Sequence, residues 1–185
     1  IEDCLGFIEA DARKRQVRIE CTLPALPMIP ADRLMLEQVL LNLIRNGMDA
    51  MCKMEEQYRL LHISVQLLEN ELKISVIDQG CGIAPDILDK LFTAFFSTKP
   101  EGMGVGLSIC RSIIEFHRGR LWVEDNRQSS SGNGTIFNFT LPLESAGIRP
   151  KFIWATTTKP SATLFPGYSN HAAFLHAPTT LPKIF

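Results

Sequence analysis

The hydrophobic period of this chain switches repeatedly between two residues and about 3.6, which limits it to a fold mixing strands with helices. "VRIECTL" (17–23), "LHISVQLL" and "LKISVID" alternate as strands do, and the last two flank "ENE", a hairpin turn. "RLWVED" and "TIFNFTLP" add two more strands across the soft turn "NRQSSSGNG". Between them, residues 2–15 read as a short amphipathic helix and "LPALPMIP" as a proline-punctuated loop. Residues 31–56 place Leu36, Val39, Leu40, Leu43, Ile44 and Met51 at helical spacing, with Asp32 as cap. "PDILDKLF" is a short helix with Pro85 in its first turn, and "VGLSICRSIIEFH" a helix of about three turns. The pattern predicts an α+β fold. It is a two-layer sandwich of a mixed, mostly antiparallel sheet with helices on one face.

At 185 residues and 45% hydrophobic content the chain can bury one good core. All 20 acidic residues lie at or before Glu144, whereas four of the 19 basic ones follow it. Residues 1–147 thus carry a net charge of −5, which speaks against a nucleic-acid-binding surface. Cys4, Cys21, Cys52, Cys81 and Cys110 are scattered and form no C-x-x-C pair, as expected of free thiols in a reducing compartment. No apolar run approaches the roughly 20 residues that span a bilayer, and no signal peptide opens the chain, so a cytoplasmic location without membrane contact is expected. The expected domain covers residues 1–147. From Ile148 the composition turns to Pro and Thr with no acid and no period, and 148–185 is expected to be a disordered or loosely packed tail.

"KPEGMGVGLSI" sets Gly102, Gly104 and Gly106 just ahead of a helix. A Rossmann fingerprint would follow a strand and space its third glycine one residue later, and a Walker loop would end in G-K-[ST]. Neither fits. What remains is either a mobile loop before a helix or a loop that brings backbone N–H groups and a positive dipole end to an anion, with Lys99 adding a point charge. A second cluster, "SVIDQGCGIAPD", ends an apolar strand on Asp78 with Gly80 and Gly82 behind it. A carboxylate there must find a donor, and adenine offers an exocyclic amine where guanine offers an acceptor. A plain strand-end Asp-Gly turn reads the same way. Finally, Asn42 and Asn46 are neighbours on one face of the long helix and interrupt its apolar stripe. Such amides serve a structural role or complete the oxygen shell of a phosphate-bound Mg²⁺.

Taken in order, these stretches resemble the catalytic, ATP-binding domain of sensor histidine kinases, within the gyrase/Hsp90/histidine-kinase/MutL superfamily. "NLIRNGMDAM" is similar to the N box, "DQGCGI" to the G1 box, "LFTAFFSTK" to the F box and "GMGVGLSI" to the G2 box. "GNGTIFNFTLP" resembles the family's closing glycine-Thr strand, and "EFHRGRLWVED" the family's usual run between the G2 box and that strand. The resemblance covers roughly residues 1–143, and its wording is nearest the nitrogen-regulator and oxygen-sensor branch.

The resemblance implies a Bergerat-type fold that binds ATP and Mg²⁺. It implies Asn46 as the Mg²⁺ ligand, with Asn42 one turn earlier, and Asp78 on the adenine amine with Gly80, Gly82 and Ile83 beside the base. Gly102, Gly104 and Gly106 would form a lid over the phosphates, with Leu107 following and Lys99 nearby. Thr135 would reach Asp78 or the adenine through water. Superfamily members that hydrolyse ATP carry a Glu base one turn before the Mg²⁺ ligand. Here that place is Asn42, which favours phosphoryl transfer over hydrolysis. The acceptor would be a histidine on a separate dimerisation domain of the parent kinase, with a response-regulator receiver domain as the indirect partner. None of His62, His117, His171 or His176 sits in an acceptor helix context, so the catalytic acceptor is expected elsewhere. The other readings in view are an ATP-binding regulatory module without turnover and a superfamily ATPase, which Asn42 disfavours.

Overall fold

A computed structural model describes residues 2–27, 29–99, 102–127, 129 and 133–143. The tail expected at 148–185 lies outside the described residues. The longest helix, α2 (Arg33–Ala50), starts where expected. Asp32 is its N-cap, and the carboxylate accepts from the Met35 amide at 3.1 Å. Its C-terminus falls six residues short of the predicted 56. To continue, the Met54 amide would have to reach the Ala50 carbonyl. That carbonyl instead accepts from the Cys81 amide at 3.3 Å, and Met54 bonds Met51 at 2.9 Å. The Arg59 guanidinium then takes the carbonyls of Met54 and Cys52, and a short 3-10 turn (Glu56–Tyr58) follows.

The remaining elements are α1 (Glu2–Lys14), β1 (Arg18–Thr22), β2 (Leu60–Leu67), β3 (Glu71–Asp78), α3 (Gly106–Phe116), β4 (Leu121–Asp125) and β5 (Thr135–Pro142). The segment opened by Pro85 is a 3-10 helix, Pro85–Lys90, rather than a turn of α-helix. The strands form one sheet in the order β1-β2-β3-β5-β4. Among the described residues only β1 and β2 pair in parallel, and the chain between them passes through α2, the crossover that a parallel pair requires.

Register sorts the side chains by face. Ile63 lies opposite Val76, Val76 opposite Phe137, and Ile74 opposite Phe139. These residues, with Leu61, Val65, Leu72 and Leu141, are buried against Val39, Leu43, Ile44 and Met48 of α2 and Cys110 and Ile114 of α3. The opposite face is polar, with Thr22 bonded to His62 and Ser75 to Asn138. The helices therefore cover one face of a mixed, mostly antiparallel sheet, as the sequence predicts.

Candidate functional site

Asp78 ends β3 on the helix-covered face, where its period-two position sends it into the core. It is 2% exposed. Its Oδ1 accepts from the Gly80 amide at 2.8 Å and the Thr135 amide at 3.2 Å, and the Thr135 hydroxyl adds a further bond. Burial pushes the carboxyl up to about 6, and the Gly80 and Thr135 donors oppose that rise. Thr135 meets Asp78 directly, where the resemblance allowed for water. A carboxylate has about four lone-pair sites, so these three donors leave capacity for one more.

The neighbours are packed too closely for side chains. A Cβ on Gly80 would lie 2.6–2.8 Å from Ala50 at the end of α2. A Cβ on Gly134 would lie 2.5 Å from the Asp78 carbonyl oxygen, which accepts from Asn126 Nδ2 at 2.9 Å. Gly47 brings α2 against β3, its Cβ direction ending 3.3 Å from Asp78 Cβ. Ile83 is half-buried and lines an open pocket with Leu88, Val123, Asp125 and Thr135.

Asn46 lies one residue before Gly47 on the same helix. Its Oδ1 accepts from Lys99 Nζ at 3.1 Å, and Lys99 also pairs with Asp49. Asn42, one turn earlier, lies against the start of α3, with its Nδ2 3.5 Å from the Gly106 carbonyl. Val105, the N-cap residue of α3, makes no side-chain cap, so the first amides of that helix stay available to an anion. Gly106 is the first residue of α3, and Leu107 packs against the core. Gly104 has φ +67°, and a Cβ there would lie 2.5–2.7 Å from the backbone of Phe95 and Phe96. Gly102 sits against Ser97 in the same loop.

The structure thus brings the predicted residues into two groups joined by α2. Gly80, Gly82, Ile83 and Thr135 gather around Asp78, a buried acceptor, while Asn42, Asn46, Lys99 and Gly106 line a polar edge; Gly102 and Gly104 lie in the loop ahead of α3, and Leu107 turns into the core. Gly47, Asp49, Asn126 and Gly134 were missed. An isolated glycine inside the helical pattern was the available signal for Gly47, and the spacing of one turn from Asn46 was the signal for Asp49. Asn126 and Gly134 lie in a polar turn with no periodicity to single them out.

The donor set suits ATP with Mg²⁺. Asn46 Oδ1 already holds a cation, the ammonium of Lys99. Among the described residues no group of three or more His, Cys, Asp or Glu could hold a metal by itself. A single amide oxygen matches an ion held chiefly by substrate phosphates and water.

A family model described as "Histidine kinase-, DNA gyrase B-, and HSP90-like ATPase" matches residues 31–145. Sensor protein FixL of Bradyrhizobium diazoefficiens is 41% identical over 143 residues, which cover 77% of this chain and 27% of FixL. The catalytic domain of histidine kinase ThkA, solved in nucleotide-free form, superposes with a TM-score of 0.64 at 30% identity, covering 77% of this chain and 89% of that domain. ThkA has also been solved in complex with response regulator TrrA, with a TM-score of 0.60 at 30% identity over 78% of this chain and 39% of that one. Full-length ShkA, solved with AMPPNP, gives a TM-score of 0.65 at 26% identity, covering 80% of this chain and 30% of ShkA. The chain spans about a quarter of the length of the curated relatives it matches.

Proposed function

Because this chain belongs to the histidine kinase-, DNA gyrase B- and HSP90-like ATPase family, we propose that it binds Mg-ATP and donates the γ-phosphoryl group to a histidine on a separate dimerisation domain. The observation that carries the reading is Asp78, a buried carboxyl held by three donors with acceptor capacity to spare. Its ionised form offers only acceptors. It therefore selects the amine of adenine and rejects the carbonyl oxygen of guanine, which would leave two acceptors facing each other.

The polar edge along α2 would receive the triphosphate. Asn46 would hold Mg²⁺, whose charge offsets that developing on the transferring phosphoryl oxygens. Lys99 and the uncapped amides of α3 would bind phosphate oxygens, the latter through the helix dipole. Asn42 has no basicity and cannot take a proton from water, so the site favours transfer over hydrolysis. Neither described histidine suits the acceptor role. His62 bonds Thr22 on the outer sheet face, and buried His117 is held by the Asp32 amide and the Ile113 carbonyl. ThkA in complex with a response regulator supports a receiver domain as the next partner in the relay.

Two measurements test this. Calorimetry should give binding of Mg-ATP and much weaker binding of Mg-GTP, and Asn46→Ala should weaken ATP far more with Mg²⁺ than with EDTA. Equal affinities for ATP and GTP would sink the Asp78 assignment. The chain should not hydrolyse ATP appreciably alone. Given a dimerisation domain, it should yield an acid-labile, base-stable phosphoprotein, and rapid hydrolysis by the chain alone would move it to the ATPases.

A further inference from the structure

Asp49 lies three residues beyond Asn46 on α2, and its carboxylate is divided between cations from two other parts of the fold. Oδ1 accepts from Arg15, just past α1, and Oδ2 pairs with the Lys99 ammonium from the loop ahead of α3. Arg15 is itself fixed, since its Nε bonds Asp11 at 2.8 Å and its carbonyl accepts from Arg59 at 2.8 Å. Burial pushes the Asp49 carboxyl up, but Lys99 and Arg15 outweigh it and hold the group below the usual carboxylate range. Asp49 is therefore a fixed anion at neutral pH. From that anchor Lys99 Nζ reaches Asn46 Oδ1 at 3.1 Å, the amide oxygen assigned to the metal.

We propose that Asp49 is a positioning residue that holds the Lys99 ammonium on Asn46 in the nucleotide-free protein, so that Mg-ATP must displace it to enter. The proposal rests on the nucleotide reading above. An ammonium and a dication cannot share one amide oxygen without repulsion. Lys99 must therefore leave Asn46 as the metal arrives, and the incoming phosphates offer it an alternative partner. Through Arg15 the same carboxylate ties that exchange to the end of α1.

Mg-ATP titrations by calorimetry on four proteins read the effect: the parent, Asp49→Asn, Lys99→Gln and the double variant. Asp49→Asn should bind Mg-ATP about two- to fivefold more tightly, the scale of one partly exposed ion pair. In the Lys99→Gln background the same substitution should change nothing, because the ion it releases is gone. An equal gain in both backgrounds would show Asp49 acting only as bulk negative charge near the phosphates, and would overturn the proposal. A second measurement needs no nucleotide. The side-chain nitrogen resonance of Lys99 should show a slowly exchanging ammonium in the parent and in Asp49→Glu, and lose it in Asp49→Asn. Persistence of that signal in Asp49→Asn would overturn the proposal. A parent with the ammonium signal but no affinity for Mg-ATP would refute the nucleotide reading, and the displacement with it. A parent that binds Mg-ATP with additive variants would refute the displacement alone.

Discussion

At the scale of single residues, Asp78 decides most. Its carboxyl titrates near 6 in the folded chain, against an ordinary value of about 3.9 in the unfolded one. The folded state thus keeps its proton to higher pH. The stability Asp78 contributes is full below about pH 4, declines as pH rises through about 6, and is constant above. Two units correspond to about 3 kcal/mol. Urea unfolding of the parent and of Asp78→Asn, compared from pH 4 to 7, should show the parent losing roughly 2–3 kcal/mol relative to the variant across that window. A difference that stays flat would mean the carboxyl is not desolvated as described. Asp78 was legible because it closes an apolar strand with glycines behind it, a place where a carboxylate must find a donor. Its partner Asn126 was not, because a turn residue 48 positions away acquires a role only when β4 is laid beside β5.

Between elements, one ring fastens α3 to α2. The Ile113 carbonyl can only accept, so His117 donates to it from Nδ1 at 2.8 Å, and its Nε2 accepts from the Asp32 amide at 3.0 Å. His117→Phe removes both ring bonds; the Ile113 carbonyl keeps the backbone amide of residue 117 at 3.2 Å, but the Asp32 amide is left unpaired, so chemical denaturation should register a loss of about 1–3 kcal/mol. A loss below the error of that measurement would mean water takes over the bond to the Asp32 amide. Arg118, the next residue, has φ +59°, and the Gly119 amide closes back on the Ile114 carbonyl at 2.9 Å. A side chain in that left-handed conformation costs about 1–2 kcal/mol, so Arg118→Gly should raise stability by roughly 1 kcal/mol. A fall in its denaturation midpoint would show that the Arg118 side chain contributes more than the strain it carries. The existence of α2 and α3 followed from apolar spacing. The early stop of α2 did not, because Cys81 competes for the Ala50 carbonyl only once β3 delivers it there.

For the whole molecule, ligand binding should appear as stability. A ligand that binds only the folded state at 100 times its Kd adds about 2.7 kcal/mol. For a chain of this size that raises the melting temperature by roughly 5–10 °C. Thermal melts should show such a rise with Mg-ATP and little change with Mg-GTP at the same concentration. Equal rises would indicate that the phosphates alone dominate binding and that Asp78 does not read the base. Among the described residues, no helix is long and apolar enough to cross a membrane.

Local chemistry fixed the elements and much of the site vocabulary. Hydrophobic periods specify strands and helices because each element must hide one face, and Asp32, Asp78 and the glycine clusters stand out as breaks in those periods. The strand order, with β5 inserted between β3 and β4, was not visible in the sequence, because pairing depends on contacts between distant segments. The same holds for the ion pairs of Asp49 with Arg15 and Lys99, residues 34 and 50 positions away in the chain. Which charges meet is settled by how α1 and the loop ahead of α3 pack around α2, and no local pattern encodes that distance.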